Sequence, residues 1–331
     1  MKSIRAKIIT VCLIFAASLF WAISSPAQCP DISSRGHLNV MTINLLFSEI
    51  KDRQTRLERI ATFVKNQTNS NDPVDFILLQ EVVGGLLSKT FNSGLDLKNL
   101  LAQKGLSYNL SYRLANGLPG LLSVGNAILS RCEILYTLST PLPFVIEEPF
   151  GNLMVPLKPI VMMSRVKIPE VGKINVYNTH LCAFCQPGDR FQQALVMADF
   201  IDDVESSIWG DNPIILGGDF NTNLNVPEEF NSGVYQLITQ NLGFVDTYSY
   251  THSNCVNCCS VVDNYKGCTF AVPGNPYAVD LFTQQLETPE RIDYIFTKGF
   301  SQNQFGSSVI FNEDPNWVSD HSAVLTRIGL P

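Results

Sequence analysis

Several apolar runs in this 331-residue chain stop at a carboxylate, a carboxamide or an imidazole. Residues 74–79 lead into Gln80 and Glu81, and residues 213–216 pass through Gly217 and Gly218 into Asp219; residues 173–179 read as another strand, which delivers His180. A short continuous apolar run reads as a strand buried on both faces. A polar group at its end then lies at the rim of a sheet. Several such strands side by side can focus their tips on one point. Residues 37–44 alternate, with Leu38, Val40 and Ile43, and read as a strand that ends in Thr42-Ile43-Asn44; residues 291–297 read as a strand that opens with Arg291-Ile292-Asp293-Tyr294. Ser319-Asp320-His321 precedes the last strand, residues 323–328.

Between these runs the apolar period changes. Residues 52–67 place Leu57, Ile60, Phe63 and Val64 at helical spacing with charge opposite, and residues 190–204 place Phe191, Leu195, Ala198 and Ile201 on one stripe. A further helix is expected within 95–104, ended near Gly105, and strands at 126–130 and 160–166. Strands and helices alternate too irregularly for one parallel wound sheet. Two packed sheets with helices outside fit better. Residues 114–124 and 142–157 stand apart as apolar segments marked by glycine and proline. They read as packed loops or, more sharply, as a surface that touches lipid or an apolar substrate.

The first 27 residues resemble a secretory signal: Lys2, Arg5 and Lys7, an apolar stretch over 8–23, then Ser25-Pro26-Ala27. The rival is an uncleaved anchor, for which the stretch is at or below the usual ~17–25-residue span. The expected mature chain is one domain, residues 28–331, secreted or periplasmic. It keeps 20 basic against 30 acidic residues, which argues against charge-driven binding along a phosphate backbone. It does not exclude a nuclease, because a bound divalent cation changes the local field. Eight cysteines remain, an even number that suggests disulfides in an exported protein. Their connectivity is one of 105. Cys182-x-x-Cys185 and Cys255-x-x-Cys258 also have zinc-ligand spacing, and the oxidising compartment favours disulfides over zinc.

Hydrolysis of a phosphate ester needs a cation to neutralise the phosphate, a base to activate water and fixed donors for the transition state. Magnesium takes hard oxygen ligands and keeps several waters, so one or two carboxylates suffice. Glu81 is the best ligand candidate, with Asn44 supporting it through its amide oxygen. His321 suits a water-activating base, and Asp293 suits a carboxylate that orients it. His180 could donate to the phosphate. In Gly218-Asp219-Phe220-Asn221, glycine permits a tight turn that aims two polar side chains at one point. His37 and His252 have no such context and read as structural.

Together Gln80-Glu81, Gly125-Asn126-Ala127-Ile128-Leu129-Ser130-Arg131, Thr179-His180-Leu181, Gly218-Asp219-Phe220-Asn221, Arg291-Ile292-Asp293-Tyr294-Ile295-Phe296 and Ser319-Asp320-His321 resemble the signatures of the endonuclease/exonuclease/phosphatase superfamily. The resemblance spans about residues 37–328. It implies the deoxyribonuclease-I-like fold, an α/β four-layer sandwich of two packed sheets flanked by helices, and a magnesium site at which manganese can substitute. It implies metal ligation by Asn44 and Glu81, with Asp320 closing the site. It implies phosphate contact by His180 and Asn221, proton handling by Asp219, and His321 as general base oriented by Asp293. Asp219 and His321 can exchange roles.

Among family members, export, acidic charge, the apolar 114–124 segment and the Arg-Ile-Asp-Tyr-Ile-Phe form look similar to neutral sphingomyelinases. The expected partner is therefore a phospholipid headgroup at a membrane surface, with Leu118, Leu121 and Leu122 reaching the interface. The expected protein is a monomer without a stable protein partner. The alternatives are a secreted nuclease acting on DNA or RNA through the same site, and a cysteine-rich binding module with a dead site. Cys255–Cys268 and Asn275-Pro276-Tyr277 match no pattern assigned here.

Overall fold

The computed structural model describes residues 29–331 except 49, 51, 119, 145, 151–152, 208–211, 254, 257 and 280–284. The expected signal segment lies outside the described residues. Among them no helix is long and apolar enough to cross a membrane.

Two six-stranded mixed sheets pack face to face. In the first, β1 (His37–Asn44) and β2 (Phe76–Gly84) run parallel, joined by helix α1 (Arg53–Asn69). Helix α2 (Ser93–Gln103), β3 (Asn109–Leu118) and β4 (Leu122–Ser130) follow. After β13 (Gly306–Ile310) and β14 (Ala323–Gly329) return, the order is β13-β14-β1-β2-β4-β3. In the second sheet, β9 (Gly172–His180) and β10 (Ile214–Asp219) form the parallel pair across helix α3 (Pro187–Glu205). With β5 (Glu133–Pro141), β8 (Ile160–Ile168), β11 (Val245–Asp246) and β12 (Asp293–Lys298), the order is β11-β12-β10-β9-β8-β5.

Period-two alternation sorts each strand between two cores. Val40, Phe76, Leu78, Val176, Ile215 and Ile295 fill the space between the sheets. Met41, Ile43, Ile77 and Leu79 face outward and pack on Leu57 and Ile60 of α1 and Leu97 of α2. Tyr177 and Leu216 pack on Met197 and Ile201 of α3. Four layers result, helix on sheet on sheet on helix, as the sequence implied. Continuous apolar runs are needed because both faces of each sheet are covered.

The same alternation carries a row of polar residues to the inner face at one end of the sheets. Gln80 donates from Nε2 to Asn178 Oδ1 at 2.7 Å across the two sheets. Asn178 in turn donates to the carbonyls of Leu79 and Ala127 at 2.9 Å. Both residues are fully buried, so these bonds fix how the sheets meet just below the strand tips.

Residues 114–124 depart from the expected loop. They form the turn of a β-hairpin, in which Leu114 pairs with Gly125 and Leu118 with Leu122. Leu121 is exposed, but Leu122 is buried against Phe47, Val83 and Val124. The expectation that Leu122 reaches an interface is thus corrected: alternation turns it to the opposite face from Leu121. The side chain of Leu118 lies outside the described residues. Within 142–157, Leu142 is core, and β6 (Ile146–Phe150) pairs antiparallel with β7 (Leu153–Leu157).

All eight remaining cysteines pair: Cys29 with Cys132, Cys182 with Cys185, Cys255 with Cys258 and Cys259 with Cys268. The zinc alternative has no counterpart among the described residues, where the one group with metal-ligand geometry contains no cysteine.

Candidate active site

Asn44 closes β1, His180 closes β9, Asp219 closes β10 and Asp293 opens the antiparallel β12. All four therefore lie at one end of the sandwich. Asp219 pairs in register with both His180 and Asp293. Gly217 and Gly218 make this approach possible. A Cβ on Gly217 would sit 2.6 Å from Leu78 of the opposite sheet, and one on Gly218 would sit 2.0 Å from the carbonyl of Thr179. Gly218 also holds φ of +143°, which only glycine adopts readily.

Glu81 reaches the cluster by a different route. Alternation through Phe76, Leu78 and Gln80 would send it to the outer face. A β-bulge between Leu79 and Val82, with Glu81 at φ +55°, turns it inward instead. Its Oε1 then accepts from Asn44 Nδ2 at 2.9 Å and its Oε2 from the Phe47 amide at 2.7 Å. The same Asn44 NH2 donates to Asp219 Oδ2 at 3.1 Å. The Asn44 oxygen, expected to face a metal, instead accepts from the Leu46 amide at 3.0 Å.

Asp219, Asp293 and His321 form the buried floor, with ligand atoms within 4.8 Å of one another. His321 donates from Nδ1 to Asp293 Oδ2 at 2.8 Å, and its Nε2 lies 3.6 Å from Asp219 Oδ2. Burial by itself lowers the pKa of His321. The carboxylates of Asp293 and Asp219 outweigh burial and raise it well above the ordinary histidine value. Burial pushes Asp293 up to about 6 against the pull of His321. The dyad thus favours a proton on the imidazole at neutral pH, the state that suits a donor.

His180 Nε2 lies 3.5 Å from Asp219 Oδ2. Asn221, at φ +47°, donates its amide N–H to Asp219 Oδ1 at 3.0 Å and its side-chain NH2 to the Leu181 carbonyl at 2.9 Å. Asp320 accepts from Ser319 Oγ and from the His321 amide, so it shapes the loop that presents His321. Burial raises the pKa of Glu81; the charge of His180 opposes this, and that of Asp320 adds to it.

The donors of the site suit a divalent cation. Two carboxylate oxygens, from Glu81 and Asp219, converge on one partly positive NH2. Asp293 Oδ1 is buried with no partner, and burial disfavours the charge of Glu81. A set of hard oxygens with unmet negative charge fits a divalent metal. Among the described residues, Asp219, Asp293 and His321 also meet metal-ligand spacing, but Asp293 is committed to His321.

Other residues that hold the site escaped the sequence analysis. Thr269 accepts the amides of Ile292 and Asp293 on its hydroxyl at 3.1 and 3.0 Å. Asn275 donates to the carbonyls of Ser319 and Asp320 at 2.9 and 3.2 Å. Arg56, on α1, donates to the carbonyls of Leu45 and Val318 and so ties the loop after Asn44 to the loop before His321. Arg291, already marked by its motif, donates from one Nη to both carboxylate oxygens of Asp246 at 2.7 and 2.8 Å and is buried and structural. The Asn275-Pro276 dipeptide was the one available signal, a turn mark without an assigned partner.

A profile described as "Endonuclease/Exonuclease/phosphatase family" matches residues 41–321. No curated protein sequence matches the chain. Among solved structures, an endonuclease/exonuclease/phosphatase from Beutenbergia cavernae is similar at TM-score 0.63 and 22% identity, covering 89% of this chain and 72% of that one. TDP2 from Caenorhabditis elegans is similar at TM-score 0.57 and 18% identity, covering 88% and 74%. The human Nocturnin catalytic domain with bound sulfate is similar at 0.55 and 16%, covering 90% and 94%.

Proposed function

The chain belongs to the endonuclease/exonuclease/phosphatase family, and from that premise we propose that it is a secreted, magnesium-dependent phosphodiesterase acting on sphingomyelin or a related choline phospholipid. The observation that carries the chemistry is His321 held by Asp293 and set 3.6 Å from Asp219. When bound, a divalent cation supplies charge neutralisation at the phosphate. Glu81 would hold it, with Asp219 beside it; Asn44 would join as a ligand only by turning its amide oxygen inward.

Asp219 Oδ2 is the acceptor for the proton of the attacking water. His321, with its proton favoured by two carboxylates, gives it from Nε2 to the ester oxygen as the P–O bond to the leaving alcohol breaks and the water oxygen bonds to phosphorus. This exchanges the roles first given to the two residues, because the carboxylates of Asp293 and Asp219 facing His321 favour its charged form. Asp293 fixes the imidazole's orientation. His180 and Asn221 flank Asp219 and contact phosphate oxygens.

Support for a lipid substrate comes from charge and surface. Acidic residues outnumber basic ones, 30 to 23, which disfavours a polyanion that needs several phosphate contacts. Support for export comes from the signal-like start and the four disulfides.

Purified protein should hydrolyse sphingomyelin, lose that activity in EDTA and regain it with magnesium or manganese. Undiminished turnover in EDTA would remove the metal. Cleavage of DNA without hydrolysis of lipid would make the chain a nuclease.

A further inference from the structure

We propose that the end of the first sheet beyond Glu81 is a docking surface for the face of a zwitterionic phospholipid bilayer. The phospholipid reading above supplies only what the docked enzyme would act on. Leu86 is 76% exposed and Phe91 86%, and Leu87, Leu114 and Leu121 are also exposed. Leu86, Phe91, Tyr112 and Leu114 line a cleft of about 720 Å³.

This surface is built rather than loose. The Leu86 amide donates to the Gly120 carbonyl at 3.0 Å and the Leu87 amide to the Leu121 carbonyl at 2.9 Å, which fastens the segment after β2 to the hairpin tip. Gly85 donates to the Thr90 carbonyl at 2.7 Å, and Asn92 caps α2 through Leu95. A Cβ on Gly85 would meet the Leu121 backbone at 2.6 Å, so glycine is what lets the two strands of the rim close.

Its position follows from register. Glu81 lies in the bulge opposite Asn126, and Leu121 is five residues further along the same end of the sheet. At ~3.3 Å per residue the rim stands about 16 Å beyond the site. Apolar groups that insert ~5–10 Å into a bilayer surface would leave the site facing the headgroup layer.

Charge selects the occupant. Residues 82–92 and 114–124 hold one charged side chain, Lys89, in a chain that is 16% charged overall with net charge -7. An anionic bilayer or a nucleic acid would be repelled by the chain and would find no basic patch here. A neutral headgroup layer over hydrocarbon matches an uncharged apolar rim on an acidic protein.

The test is sedimentation with phosphatidylcholine vesicles that contain no sphingomyelin, in EDTA, so that neither turnover nor substrate choice enters. The full chain should cosediment, and added salt should not release it. Leu86→Ser with Phe91→Ser should weaken binding by at least ~10-fold, as expected for two apolar side chains that no longer enter the interface. Their unfolding midpoint should stay at the wild-type value. Absence of wild-type binding, or equal binding by the variant, would overturn the proposal. So would binding to anionic vesicles alone that salt abolishes, or a dimer that the same substitutions dissolve. Vesicle binding without lipid hydrolysis in magnesium would support the surface while removing the substrate reading.

Discussion

At the floor of the site, Asp219, Asp293 and His321 are at most 5% exposed, while on the rim Leu86 and Phe91 are 76% and 86% exposed. The floor buries charge and the rim exposes hydrocarbon, each against the usual partition. Burying three ionisable groups is tolerable because they compensate one another: His321 is bonded to Asp293 and faces Asp219. The exposed side chains have no such compensation in water. Charge that is paired internally can be sealed within the fold, whereas apolar surface without a partner within the fold is what the proposed docking would cover.

The comparison breaks most sharply at adjacent residues of the hairpin. Leu122→Asp should destabilise the fold by at least ~3 kcal/mol, because a charge would enter a closed apolar cluster. Leu121→Asp should stay within ~0.5 kcal/mol, as a surface change does. Denaturant midpoints of the two variants measure this, and equal losses would mean that the rim is core.

On the floor, His321→Ala and Asp219→Ala should each lower turnover by at least ~10²-fold, the scale of a lost acid or base. Asp293→Asn should cost less, ~10-fold, because it orients the imidazole rather than meeting substrate. Steady-state rates on a soluble phosphodiester give the ranking. A His321→Ala enzyme with normal turnover would strip the dyad of its role.

The smallest effect concerns a charge that is only partly buried, Asp72, at the far end of the strands. Burial opposes its charge, but hydrogen bonds from His37, Asn39 and Arg327 outweigh burial and lower its pKa to about 2. A depressed carboxylate pKa stabilises the fold above the unfolded value of 3.8, and that contribution fades as pH falls through about 2. Solvent screening reduces it to ~1 kcal/mol. Asp72→Asn should therefore flatten the stability curve between pH 4 and 2, as followed by thermal unfolding. An unchanged slope would mean that a charge needs deeper burial than this to matter.

Much of the architecture was legible because it follows from local rules. Apolar runs marked the central strands, helical stripes marked α1 and α3, and the residues at strand ends gave Asn44, His180, Asp219, Asp293 and His321 as one cluster. The four-layer arrangement follows once both faces of the strands are apolar. The family-specific motifs added the likeness that the profile bears out. Disulfide bonding was expected, but its pairing was not; only Cys29–Cys132 joins distant positions, while the other three bonds span three to nine residues.

What the sequence determined alone was which residues gather at the strand tips, since period-two alternation needs no partner to be read. Tertiary structure decided how they meet. Glu81 lies on the wrong parity for the inner face, and only the bulge opposite β4 turns it toward Asn44. Leu121 and Leu122 are the same residue type side by side, and only the cluster of Phe47, Val83 and Val124 makes one of them core. Thr269, Asn275 and Arg56 carry ordinary side chains whose partners lie 11 to 262 positions away. A bulge, a buried face and a long-range hydrogen bond each depend on chain segments far apart in sequence, so no local pattern records them.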